Sequence, residues 1–89
     1  MRAVITVIGK DMVGILAKVS TRCAECNANV VEVTQSVLQE LFAMIMLVDI
    51  TNLNCDFSQL VNSLKELGEG IGLSVHVMHE DIFNSMHRI

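Results

Sequence analysis

Apolar residues in this chain follow two rhythms, and the order in which the rhythms alternate restricts the fold more than any other feature. The run "RAVITVI", residues 2–8, is β-branched, short and bounded by Gly9, which predicts a strand. From Gly14 to Cys26 the apolar positions Ile15, Leu16, Val19, Cys23 and Cys26 fall three and four apart. That is one stripe of a helix, which Asn27 can close in the left-handed conformation. Residues 29–38, "NVVEVTQSVL", alternate, with Val31, Val33 and Val37 on one side and Glu32, Thr34 and Ser36 on the other. This is the pattern of a half-exposed edge strand. After Gln39 and Glu40, "LFAMIMLVDI" is apolar on both faces, as a central strand is. Phe57, Leu60, Val61, Leu64 and Leu67 predict a second helix, capped by Asp56 or Asn54 and ended by Gly68, Gly70 and Gly72. "LSVHVMH" alternates again, and the piece Asp81–Ile89 puts Ile82, Phe83, Met86 and Ile89 on one short stripe.

The order is therefore βαββαβ plus a terminal helical turn or two. Two crossovers and one hairpin give an α+β, ferredoxin-like sandwich: a four-stranded antiparallel sheet with two helices on one face and a short C-terminal helix. The first and third strands, richest in apolar residues, should be central. At 89 residues the chain reads as one domain, 1–89, near the lower limit of independent stability. Aromatics are only 3%, so the core must come from Val, Ile, Leu and Met. Hydrophobic residues make up 52% and the mean hydropathy is +0.52, more apolar surface than one small core hides. That excess points to association.

Composition also excludes partners. "LFAMIMLV", residues 41–48, is far too short to span a bilayer, and the start lacks the form of a secretory signal, so no membrane partner and a cytoplasmic location are expected. A net charge of −4 with six scattered Lys and Arg argues against nucleic acid. Three cysteines, Cys23, Cys26 and Cys55, suit a reducing compartment better than a disulfide framework.

Three functions can be weighed on such a sheet. A metal chaperone would use "CAEC", residues 23–26, but a chelating pair belongs in a loop or at a helix N-terminus, and this one lies near a helix end on the apolar stripe. Core packing of the cysteines is the expectation. His76 and His79 are three apart, on opposite sides of a strand, and His87 is near the terminus, so no metal site is expected. An acylphosphatase-like enzyme needs an Arg after the first strand, where "GKDMVG" offers only Lys10; nor is this a P-loop, since no Lys-Ser or Lys-Thr follows. No catalytic residue and no cofactor are therefore expected.

Small-molecule binding suits the loop "GKDMVGIL", residues 9–16, better. Gly9 and Gly14 would let the chain turn and a ligand approach the backbone. Helix-start amides around Gly14, Ile15 and Leu16 would hold a carboxylate, and Asp11 an ammonium group. A plain connection with Asp11 as a helix cap is the competing reading, and local physics favours neither.

"VIGKDMVGILAKVSTRCAECNANV" leading into "VTQSVLQELFAMIMLV" resembles the ACT domain over essentially the whole chain. More closely it resembles the stand-alone ACT proteins of the UPF0237 family, and it is similar to the amino-terminal ACT unit of the glycine cleavage system transcriptional repressor. "GKDMVGIL" and "TQSVLQELFAM" are the most specific parts. The resemblance implies regulatory binding of an amino acid or related metabolite at a subunit interface, with Gly14, Ile15 and Leu16 on the family's Gly-aliphatic pattern. It places polar ligand-contacting positions on Asp11 and on Asn29, the latter from a second subunit whose second strand pairs with this one. Two departures stand out: Cys26-Asn27 where many members carry Leu-Gly, and Met12-Val13 where many carry a polar residue and Pro. The expected function is thus a homodimeric or larger sensor that passes regulation to another protein. The alternative is a ligand-free assembly module.

Overall fold

The computed structural model describes residues 1–10 and 12–86; Asp11, His87 and Ile89 lie outside the described residues. Its elements run β1 (Arg2–Lys10), α1 (Ile15–Glu25), β2 (Asn29–Leu38), β3 (Leu41–Asp49), α2 (Phe57–Ile71), β4 (Ser74–His79) and α3 (Glu80–Met86). The sheet is antiparallel throughout, in the order β2-β3-β1-β4. This is the ferredoxin-like sandwich, with β1 and β3 central and β2 at an edge.

One face of the sheet carries the core. Ala3, Ile5 and Val7 of β1 stand opposite Val48, Met46 and Met44 of β3, and all six are buried. Val75 and Val77 of β4 extend the same face, since they pair with Val7 and Ile5. Ile15, Val19 and Cys23 of α1 and Leu60 and Leu64 of α2 close it from above. Each buried Val, Ile, Leu or Met among them contributes about 1.5–3 kcal/mol. The period-two and helical stripes seen in the sequence are the two halves of this core.

Several boundaries differ from the sequence expectation. β1 does not stop at Ile8, because Gly9 and Lys10 still pair with Phe42 and Leu41. Gly9 is thus a strand residue and not a turn. A Cβ there would come within 2.4 Å of Leu73 Cδ2, so its missing side chain makes room for the start of β4. α2 does not end at Gly68 or Gly70; both are helical, and only Gly72, at φ 74°, ends it in the left-handed conformation. At its start, Asp56 forms a capping box with Gln59, whose Oε1 accepts the Asp56 amide at 2.9 Å.

In β2 the simple alternation breaks at Val31. Val30 faces Val48 and Glu32 faces Leu47, so Val31 is the extra residue of a β-bulge. The bulge turns both Val30 and Val33 toward the core, which they partly join, and leaves Val31 51% exposed.

The second sheet face is divided. α3 packs against β1 and β4, and Val4 beneath this side is buried. The expected stripe of α3 is split: Phe83 is half-buried, whereas Ile82 and Met86 are exposed. Beyond α3, Ile8, Leu41 and Ile45 are each about half exposed, and Leu38 more so. β3 is therefore apolar on both faces, as its sequence indicated, but only one is covered among the described residues.

Candidate functional site

The connection from β1 to α1 is shaped by Gly14. It is the N-cap of α1, with φ 85° and ψ 12°, a conformation that an L side chain rarely adopts. Its carbonyl accepts the first helical bond, from Lys18 N–H at 3.0 Å. Gly14 has no side chain to cap the helix, and no acidic residue lies in the first turn. Among the described residues, no side chain caps the leading amides of Ile15 and Leu16, and helix-start amides of this kind can take an anion. The two side chains differ in use. Ile15 is a buried core residue and offers only its backbone, while Leu16 is partly exposed.

The same end of the molecule holds a cleft of about 380 Å³ lined by Gly9, Lys10, Leu38, Gln39, Glu40 and Leu41. It forms because Lys10, Leu41 and Leu38 are in register across three strands, with Gln39 turning the β2–β3 hairpin at φ 59°. Lys10 and Glu40 put one cation and one anion on this cleft, and neither is in an ion pair among the described residues. Sequence reasoning missed this juxtaposition, which depends on strand register; the only trace of it was the polar Gln39-Glu40 step between two apolar runs.

Asn29 lies elsewhere. It is exposed, begins β2 and stands opposite Asp49. α1 separates it from Gly14, and 11 helical residues span roughly 16 Å. The fold therefore does not bring Asn29 to the Gly14 turn within one chain. A smaller cleft of about 240 Å³, lined by Ala24, Asn27, Ala28 and Asn29, marks this other end.

The cysteines also divide. Cys23 is fully buried in the core, and burial pushes its thiol up to about 11. Cys26, the C-cap of α1, is half-buried; its thiol is raised to about 11, first by burial and then by the neighbouring Cys55 side chain. The CxxC spacing thus does not define a working pair. The histidines take opposite sides: His76 pairs with Thr6 on the face away from the two long helices, and the His79 ring lies 4.7 Å from that of Phe57 of α2. No helix is long and apolar enough to cross a membrane among the described residues.

The family model for the ACT domain matches residues 2–78, nearly all of the sheet and both long helices. The chain belongs to the ACT domain family. A UPF0237 protein of Methanocaldococcus jannaschii is 51% identical over 88 residues, covering 99% of this ACT domain and 98% of that relative. Among solved structures, an ACT domain protein from Streptococcus pneumoniae is similar, with a TM-score of 0.80, 36% identity and 93% of each chain covered. The regulatory subunit of aspartate kinase from Thermus thermophilus is similar over 86% of this ACT domain and 50% of that chain, with 25% identity and a TM-score of 0.67. The fold is that of a regulatory, ligand-binding domain.

Proposed function

We propose that this ACT domain is a non-enzymatic sensor that binds a small amino acid, or a related zwitterionic metabolite, as a homodimer. The observation that carries the reading is the Gly14 turn, whose left-handed cap leaves helix-start amides without a side-chain partner from Gly14 itself. In the proposal the amides of Gly14, Ile15 and Leu16 take the ligand carboxylate and Asp11 its ammonium group. Lys10 and Glu40, on the neighbouring cleft, supply the same two charges from the strand side. Gly9 contributes backbone only.

The dimer completes the site. β2 is an edge strand of 10 residues with exposed Val31 and Val37, a border open to pairing. Two copies of β2 joined antiparallel about a two-fold axis would set the start of one strand beside the end of the other. Leu38, at that end, borders the Lys10–Glu40 cleft. The partner subunit's Asn29 would then reach a site that its own Gly14 cannot share with it. Ligand binding would favour one dimer geometry, and a separate protein would read the change. Similarity to an aspartate kinase regulatory subunit supports a regulatory role.

Isothermal calorimetry with each common amino acid tests the reading. One of them should bind the wild type, and Asp11→Ala or Asn29→Ala should weaken it about tenfold or more. No heat with any of them would remove the sensor.

A second reading, a ligand-free assembly module, is favoured by the uncovered apolar residues Ile8, Leu41 and Ile45. It gains if the protein elutes as an oligomer whose thermal midpoint no amino acid moves.

A further inference from the structure

Cys26 and Cys55 are 29 positions apart in sequence and meet in the fold. The Cys55 side chain lies close enough to help raise the Cys26 thiol, and both side chains pack on the same buried core. Three further bonds tie the segments that carry them. Asn54 N–H donates to the Cys26 carbonyl at 3.1 Å, and Asn54 Nδ2 to the Glu25 carbonyl at 3.1 Å. Asn27 Nδ2 donates to the Asn52 carbonyl at 2.7 Å. The end of α1 and the β3–α2 loop are thus stitched together beside the two cysteines. Both cysteines are only half-buried, so a small reagent can reach them. Cys23, the other half of the CxxC spacing, is fully buried in the core.

We propose that Cys26 and Cys55 are a covalent modification site, closing to an intramolecular disulfide that fastens the end of α1 to the β3–α2 loop. The geometry is favourable because a disulfide needs adjacent backbones and facing side chains, and the Asn54–Cys26 bond already holds the backbones together. The oxidant is a low-molecular-weight disulfide such as oxidised glutathione. The Cys55 thiolate attacks one of its sulfurs and expels one small thiolate, leaving a mixed disulfide. Cys26 then loses its proton, attacks the Cys55 sulfur and expels the second. One S–S bond breaks and one forms. Two electrons pass from the protein to the reagent, and the two protons end on the released thiols.

The Cys26 thiol, raised to about 11, makes the second step slow, because its thiolate is scarce. The same property makes it a poor leaving group, so the closed form is also slow to reopen. The site therefore acts as a latch and not as a fast sensor. It lies at the Asn27–Asn29 end of the molecule, away from the Gly14 turn, and the inference does not depend on the ligand proposed above.

The test is intact mass and thiol counting on the native protein after incubation with oxidised glutathione. Expected are a loss of two hydrogens, one remaining thiol assigned to Cys23 by peptide mapping, and reversal by dithiothreitol. The thermal midpoint should rise by roughly 10 °C, since a loop of this length is closed. Cys23→Ala should still close, and Cys55→Ser should give at most a glutathione adduct. Three free thiols, adducts without an internal bond, or a bond to Cys23 would each overturn the proposal.

Discussion

Gly68 of α2 stands against Val75 of β4 so closely that a Cβ would lie 2.6 Å from Val75 Cγ2 and 2.8 Å from the Leu73 carbonyl oxygen. The second contact is backbone and cannot rotate away. Two residues on, Gly70 has nothing within 4 Å of the same added atom. Gly68→Ala should therefore destabilise by about 1–3 kcal/mol through overpacking. Gly70→Ala should stabilise by about 0.5–1 kcal/mol through helix propensity alone. Urea unfolding of the two variants checks the opposite signs.

Asp49 gives an acid-side prediction. The neighbouring Thr51 side chain, and the Thr51 amide that its carboxylate accepts at 2.9 Å, hold it below its ordinary 3.8. A carboxyl lowered in the folded state contributes stability above its unfolded value and loses it as pH falls through the folded one. Asp49→Asn should flatten the decline in stability below about pH 4. An unchanged acid slope would show that Thr51 does not hold this carboxylate in solution.

Cys23 acts at the other end of the scale. Burial raises it from 9.0 to about 11, so the neutral thiol is the form the fold accepts. Its contribution is complete below pH 9 and is lost as pH rises toward 11. Urea midpoints under reductant should fall across that interval, with Cys26 contributing in the same sense. Cys23→Ala should reduce the slope while lowering stability at neutral pH. In the native protein at pH 8, Cys23 should resist alkylation until unfolding.

Adjacent residues of β3 separate the two sheet faces. Met46 is fully buried and Ile45 is 46% exposed. Met46→Ala should cost about 2–5 kcal/mol, and Ile45→Thr no more than about 0.5 kcal/mol in dilute protein. A larger, concentration-dependent cost at Ile45 would mean that this face is covered by another molecule, as the assembly reading requires.

These contrasts show what a sequence can carry. Element order was legible because apolar spacing differs between strands and helices, and β1 and β3 announced their central places by composition. What sits opposite a residue was not legible. Gly68 reads as a helix breaker until β4 is laid against it, and Gly9 reads as a turn until Leu73 fills its space. Cys26 shares a CxxC spacing with Cys23 that suggested only core packing, and its neighbour in the fold, Cys55, is not legible from that spacing. Of the candidate site, the Gly14 turn could be read directly, since its conformation is local. The placement of Lys10 and Glu40 on one cleft could not, because it follows from the register of three strands.

The bulge at Val31 decides more than the fit of two valines. Because one position is spent without a partner, every residue before it is inverted relative to the remainder of β2. Asn29 consequently shares a side with Glu32 and Leu47, where an uninterrupted alternation would have turned it toward the helices. A single inserted residue thereby selects which half of the molecule's surroundings that carboxamide can address.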